Sequence, residues 1–320
     1  MEKIKLGSSD AFISIICLGA MFFGTKTIKE MSFKIMDEYL ENGGSFIDTS
    51  NMYASWVPGF KGGESEDVIG QWFKLRKNRD KVFIATKVGF SNPTDKIEAG
   101  LSEKQIKRAC ELSLRRLSID TIDLYYAHVD DRKTPMDESL EAFNDLVKDG
   151  KVRYIGASNF PVWRLQKANL LSEFKNYTGY CCMQTRYTYL LPRPGSSFTP
   201  QLSANDDLID YCNSSNIRML AYSPLLQGAY DRSDKPFPNQ YFGSDNEIRL
   251  KILQDVAKEH NATNNQIVLA WLINKKYPVI PVIGVSNLEQ LKDNLISLKI
   301  ILSDEQFNRL NKAHSELPEY

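Results

Sequence analysis

SerPheIleAspThrSer at 45–50, ValPheIleAlaThrLysVal at 82–88 and IleAspLeuTyrTyrAlaHis at 122–128 are short apolar runs, and each carries a polar residue of a different acid–base kind at or near its end. They deliver Asp48, Lys87 and His128, and Tyr53 follows shortly after the first. The three are spaced at roughly 40 residues, the length of one strand, one helix and two loops. In a parallel barrel that interval sets the carboxyl ends of neighbouring strands side by side on one face. A carboxylate, a phenol, an amine and an imidazole then share one pocket, which is the composition of a proton-transfer site.

Working outward, eight strand-like runs recur, centred on Ile15–Leu18, Phe46–Asp48, Val82–Lys87, Ile122–His128, Arg153–Ala157, Cys181–Gln184, Arg218–Tyr222 and Val279–Ile283. Their near-continuous hydrophobicity is that of strands covered on both faces. Between them the apolar period lengthens to that of a helix. Ile106, Cys110, Leu114 and Leu117 make one stripe, opened by Ser102 and Gln105 in capping-box spacing. Leu140, Phe143 and Val147 make a second, entered through Thr134–Pro135, and Leu288, Leu291, Leu295 and Leu298 a third. Strand–helix alternation repeated eight times, with right-handed crossovers, predicts an α/β fold: a (β/α)8 TIM barrel. LysIleLysLeuGlySerSerAspAlaPheIleSer at 3–14 reads as an N-terminal β-hairpin. Two helices exceed the eightfold count, at about 246–260 and 303–314. Thr263 and Gln266 cap the seventh barrel helix. No linker divides the chain, so residues 1–320 are expected to form a single barrel domain. The stretches 186–204 and 227–245 are long loops over the presumed active face.

Composition fits this reading. The 320 residues are 42% hydrophobic and 25% charged, ordinary for a soluble globular chain. Lys and Arg total 40, as do Asp and Glu, so no global field recruits nucleic acid or a membrane surface. LysLeuArgLysAsnArg at 74–79 is the strongest basic cluster and is expected at a solvated helix end. No run reaches the ~18 apolar residues of a membrane span. Phe12–Gly24 is interrupted by Gly19 and reads as strand and loop rather than a signal segment. Cys17, Cys110, Cys181, Cys182 and Cys212 show no CxxC spacing and sit in apolar patterns. Buried free thiols of this kind belong to a reducing compartment, here the cytoplasm.

The chemistry can be read from the side chains. A phenol is a poor acid, with an ordinary pKa near ~10. An adjacent ammonium stabilises its phenolate, so Lys87 is expected to make Tyr53 more acidic while Asp48 holds Lys87 charged and in place. His128 supplies a hydrogen bond to a substrate oxygen or shares the proton. Such a group can protonate a carbonyl oxygen as hydride arrives at carbon, an effect worth roughly 100- to 10,000-fold. Taken singly, Lys87 also fits a structural ion pair or a Schiff-base aldolase, and Tyr53 a surface residue. His260 and His314 fall on outer helices, and a metal site needs more strand-end ligands than the chain offers, so none is expected. At 283–294, IleGlyValSerAsnLeuGluGlnLeuLysAspAsn runs from a strand end into a helix start. Free amides there, beside a glycine, make an anion site, at a place where barrels often bind phosphate. There is no GxGxxG, so a nicotinamide dinucleotide would bind without a Rossmann domain.

Together these residues resemble the aldo-keto reductases, NADP(H)-dependent oxidoreductases on a (β/α)8 barrel. The likeness runs from LeuGlyAlaMetPhePheGly at 18–24 to the last helix. The family tetrad of Asp, Tyr, Lys and His falls on Asp48, Tyr53, Lys87 and His128, and GlyGluSerGluAspValIleGly at 63–70 is similar to its helix-2 signature. GlyAlaSerAsnPhe at 156–160 and Gln184 resemble the segments that hold the nicotinamide carboxamide, which implies contacts from Ser158, Asn159 and Gln184. AlaTyrSerProLeu at 221–225 implies Tyr222 stacked on the nicotinamide, with Ser223 and Leu225 near the pyrophosphate. The 283–294 segment is similar to the adenosine-phosphate site and implies Gly284, Ser286, Gln290 and Asn294. Ala20 stands where relatives often have Thr, and Ser286 where many have a basic residue against the 2′-phosphate. NADP(H) is therefore expected ahead of NAD(H), by a reduced margin. Trp56 and Phe60, in a loop longer than the family's short form, and Met21, Phe22 or Phe23 either wall the substrate pocket or pack onto the barrel.

The resemblance implies reduction of an aldehyde or ketone to an alcohol, with Tyr53 as general acid and a small-molecule carbonyl as the only partner expected. Its rival is a nucleotide-binding, redox-sensing regulatory subunit of the same fold. The intact tetrad and the lack of a long N-terminal extension favour the enzyme. Substrate identity and oligomeric state are not legible.

Overall fold

A computed structural model describes residues 1–313. The chain opens with a hairpin, β1 (Lys3–Lys5) and β2 (Phe12–Ser14), paired antiparallel with Lys3 opposite Ser14. The eight strands that follow in a closed parallel barrel are β3 (Cys17–Gly19), β4 (Phe46–Asp48), β5 (Phe83–Val88), β6 (Ile122–Ala127), β7 (Val152–Ser158), β8 (Tyr180–Arg186), β9 (Arg218–Tyr222) and β10 (Ile280–Gly284). Closure is made by β10 on β3, with Val282 opposite Cys17. The surrounding helices are α1 (Lys29–Glu41), α2 (Glu64–Arg76), α3 (Glu103–Leu117), α4 (Met136–Lys148), α5 (Val162–Lys175), α6 (Asp206–Ser214), α7 (Ser244–Glu259), α8 (Asn264–Ile273), α9 (Leu288–Ile296) and α10 (Asp304–Asn311). Here α7 and α10 are the two helices outside the βα alternation, as the sequence predicts. His314 lies outside the described residues.

The period of two along each strand separates two cores. Phe46, Ala85, Leu124, Tyr126, Cys182, Leu220 and Ile280 pack inside the barrel. Ile47, Ile84, Val88, Tyr125 and Ala127 face the helix layer instead. Leu6 and Ile13 of the hairpin join the inner cluster, so β1 and β2 plug the amino end of the barrel. A side chain at Gly7 would meet the Cys181 carbonyl oxygen at 2.0 Å, which is why the plug can seat there. The same end is tied by buried Asp123, which takes Arg79 at 2.7 Å, the Ile84 amide at 2.8 Å and Arg153 at 3.1 Å.

Helix starts follow their caps. Ser102 and Gln105 form both halves of the box on α3, and Thr263 and Gln266 do so on α8. Ser303 and Gln306 do the same on α10, a signal present in the sequence but not read there. The basic cluster at 74–79 spans the end of α2, where Lys74, Arg76 and Lys77 are exposed. The 63–70 signature has a packing reason. A Cβ on Gly70 would lie 2.1 Å from the Arg116 carbonyl oxygen, so a glycine here lets α2 and α3 touch backbone to backbone. Gly70→Ala should destabilise the protein by about 1–3 kcal/mol through overpacking. Thermal unfolding reads this as a lower Tm, and an unchanged Tm would mean that the helices separate without penalty.

Candidate active site

The carboxyl ends of β4, β5 and β6 bring the expected residues together. Asp48 and Lys87 point into the barrel because they continue the inward series Phe46–Asp48 and Phe83–Ala85–Lys87. Lys87 is fully buried and Asp48 nearly so. The ammonium contacts Asp48 Oδ1 directly, donates to the Thr49 carbonyl at 2.8 Å and to the Tyr53 phenol oxygen at 2.6 Å. The Tyr53 hydroxyl in turn lies 3.2 Å from Asp48 Oδ1. His128 follows β6; its Nδ1 is 3.3 Å from Ser50 Oγ, and its ring lies edge-on to Tyr53 with centroids 6.0 Å apart. Phe90 also packs edge-on to that imidazole, with centroids 4.7 Å apart, and Trp56 stands edge-on to Tyr53 at 6.5 Å.

Burial decides the protonation states. The Tyr53 phenol is pushed well above its usual value, first by burial and then by the Asp48 charge. The expectation of an unusually acidic phenol is therefore not met: Asp48 and desolvation outweigh the neighbouring cation, and the resting phenol keeps its proton. Burial also lowers the Lys87 ammonium from the usual lysine range, with Asp48 opposing. The His128 imidazole is driven well below its ordinary value by burial, and the Lys87 charge adds to this. It is neutral near neutral pH.

The second group of candidates lines the same face. Gln184, on β8, donates from Nε2 to Asp48 Oδ2 at 2.9 Å. This contact, a link across the barrel that no local pattern encodes, uses one proton of a side-chain amide that also carries a second proton and a carbonyl oxygen. Asn159 donates to the His128 carbonyl at 3.0 Å and to Ser158 Oγ at 3.1 Å, while its Oδ1 accepts the Tyr222 hydroxyl at 2.8 Å. Apart from helix ends such as Lys77, Ser118 and Asn176, positive φ at non-glycine residues occurs on this face, at Ala54 beside Tyr53, at Asn159, and at Ser223, Leu226 and Gln227 after β9. Strained backbone of this kind concentrates at ligand sites. Farther round the rim, Asn287 caps α9 by accepting from the Gln290 amide. The Gln290 side chain folds back to accept from the Ser286 amide at 2.8 Å and its hydroxyl at 3.0 Å. A Cβ on Gly284 would meet nothing within 4 Å, so the backbone is open to close approach. Leu225 is half-buried and Asn294 buried. These features fit a bound nicotinamide dinucleotide: polar side chains beside the tetrad and, at Gly284, backbone open to close approach by a phosphate ahead of the α9 start.

Of the candidate pocket-wall residues, Phe23 packs in the core, Phe22 and Phe60 are half-buried, and Met21 and Trp56 are exposed. All five cysteines are buried and free. A cavity of about 720 Å³ opens at the opposite, amino end, lined by Ser45, Phe83 and Asp123 among others, and touches no tetrad residue. Among the described residues no three metal-ligating side chains converge, and no helix is long and apolar enough to cross a membrane.

Known proteins resemble this chain along nearly its whole length. The profile of the Aldo/keto reductase family matches residues 15–315, and the chain belongs to that family of oxidoreductases. The uncharacterized oxidoreductase YrpG of Bacillus subtilis is 34% identical, over 97% of this chain and 95% of its own length. Norsolorinic acid reductase B of Dothistroma septosporum is 30% identical, over 94% of this chain and 78% of its own. An aryl-alcohol dehydrogenase of Pestalotiopsis microspora is 28% identical, over 98% and 82%. The crystal structure of a thermostable aldo-keto reductase, Tm1743, in complex with the inhibitor epalrestat superposes with a TM-score of 0.76 at 27% identity, over 98% of this chain and 100% of that one.

The His128 environment has a measurable consequence. A group whose pKa drops on folding lends stability above its unfolded value and loses it as pH falls. Stability should therefore decline below pH ~6.5, the unperturbed imidazole value. In His128→Asn the part of that decline due to this residue should vanish, as thermal scans at pH 7.5 and 5.5 can show. An equal decline in both proteins would mean that His128 charges freely in the folded state.

Proposed function

We propose that this protein reduces an aldehyde or ketone to an alcohol with NADPH, and that Tyr53 is the general acid. A nicotinamide dinucleotide, when bound, would supply the hydride for the carbonyl carbon. Tyr53 gives its phenolic proton to the carbonyl oxygen, and the residual phenolate is stabilised by the Lys87 ammonium already aimed at it. Asp48 keeps that ammonium charged and oriented. With Ser50 Oγ, 3.3 Å away, donating to Nδ1, neutral His128 carries its proton on Nε2 and donates it to the carbonyl oxygen, a tautomer assigned for this role since a hydroxyl can also accept. The single observation carrying this reading is the 2.6 Å contact from Lys87 Nζ to the Tyr53 oxygen, made by a lysine that also contacts Asp48. A phenol held protonated at rest is the form an acid needs before turnover.

The same contact argues against a Schiff-base aldolase. All three Lys87 protons have acceptors, and the amine is wholly buried, so no lone pair meets a substrate. Trp56 beside Tyr53 and Phe90 beside His128 support aromatic carbonyls among the substrates, in keeping with the names of the aryl-alcohol and norsolorinic acid relatives. Buried free thiols support a reducing, cytoplasmic setting. Ser286 offers the 2′-phosphate a hydroxyl and no charge, and Glu289 stands in the first turn of α9. NADPH is thus favoured over NADH chiefly by the family pattern.

Tyr53→Phe should cut kcat for aryl aldehydes by roughly 100- to 10,000-fold while NADPH titration by tryptophan fluorescence is unchanged. Near-wild-type turnover would remove Tyr53 from the acid's role. Lys87→Met should be comparably damaging in kcat, and it leaves Asp48 buried without its cation, at about 3–5 kcal/mol of stability. Oxidation of bound NADPH in a single fast turnover separates the enzyme from a redox sensor, which would retain its cofactor and react slowly. Ser286→Arg should tighten NADPH relative to NADH by about tenfold through a charge-assisted phosphate contact. Equal tightening of both would place the 2′-phosphate elsewhere.

A further inference from the structure

The geometry points to Arg116 and Asp95 as positioning residues that latch the loop carrying Tyr53, a role that rests on the reading of Tyr53 as proton donor. Arg116 leaves the end of α3 and is largely buried. Its Nε donates to Glu66 Oε2 of α2 at 2.7 Å, and its Nη1 to Asp95 Oδ2 at 2.8 Å, in the loop between β5 and α3. Glu66 is fully buried, and its other oxygen accepts Thr86 Oγ1 at 2.5 Å, next to Lys87 on β5. One guanidinium therefore joins two helices, a barrel strand and a loop.

The Asp95 loop then reaches both ends of the Tyr53 segment. Asn92 Nδ2 donates to the Asn51 carbonyl at 2.7 Å and also to Asp95 at 3.1 Å. Thr94 Oγ1 donates to the Lys61 carbonyl at 3.0 Å. Between Asn51 and Lys61 the chain has no helix or strand, only successive turns with Ala54 at φ 66°. Glycines open the room for this joint. A Cβ on Gly63 would meet Arg116 Cδ at 2.9 Å, and one on Gly62 would meet Asn92 Nδ2 at 3.1 Å. The Glu66 half of the joint bridges α3 to α2. The Asp95 half serves the loop, and the loop serves the Tyr53 turns. Proton donation tolerates little misplacement, since an error of ~1 Å can cost about 100-fold.

Arg116 itself is a poor probe, because its removal leaves Glu66 buried without a cation. Asp95→Ala cuts the latch and keeps the Arg116–Glu66 pair; Thr94→Val cuts the second, exposed tie. Hydrogen–deuterium exchange on the full chain should show amides at 51–63 exchanging at least about tenfold faster in Asp95→Ala, with α2 and α3 as protected as in the wild type. With NADPH and benzaldehyde, kcat should fall about 10- to 100-fold, NADPH affinity should hold, and the solvent deuterium isotope effect on kcat should rise as proton transfer slows. Thr94→Val should move each readout the same way by less. Unchanged exchange at 51–63 in Asp95→Ala overturns the latch. Faster exchange with unaltered kcat and isotope effect overturns its positioning role. A wild-type protein that turns over no carbonyl would sink the proposed function instead, and the exchange comparison would still decide the latch.

Discussion

An ammonium without water is the constraint around which this barrel is organised. Lys87 is wholly buried, and a buried cation is tolerated only when its protons are taken up by nearby acceptors. Asp48, the Thr49 carbonyl and the Tyr53 phenol take all three. Each acceptor depends on backbone placement: the first two on the end of β4, the third on the turns that follow it. Asp48 in turn spends its second oxygen on Gln184 from β8, across the barrel. One charge thus couples strands distant in sequence, and the chemistry follows from the same contacts that make the burial bearable.

The two ends of the barrel divide the labour. At the amino end, Leu6 and Ile13 fill the interior, and Asp123 with its two arginines ties the strand starts, so that face is built for stability. At the carboxyl end the interior layer turns polar, the backbone takes up positive φ beside the tetrad, and the long loops arrive. Barrel enzymes separate scaffold from chemistry in this way, and family relatives can differ in substrate by changing loops alone. In this chain the loop after β4 presents Trp56, exposed and edge-on to Tyr53.

Much of this was legible in the residues. Strand ends at Asp48, Lys87 and His128 could be read because buried parallel strands are continuous apolar runs and a break in polarity marks their mouths. Caps on α3 and α8 were legible because they are local, three residues wide. The acidity of the phenol was misjudged for a physical reason: sequence shows which charges are neighbours but not how thoroughly water is excluded, and desolvation proved the larger effect at Tyr53. The contact of Gln184 with Asp48 was not legible, since nothing near Gln184 in sequence announces Asp48.

What the chain determined by itself was therefore periodic or local: the alternation of strand and helix, the inward phase of each strand, the caps, and the kinds of functional group delivered to one face. Tertiary structure alone decided which of those groups touch, as in Gln184 on Asp48, Tyr222 on Asn159, and Arg116 between Glu66 and Asp95. Those contacts span tens of residues, and their geometry is set only once the barrel closes and its interior is dry.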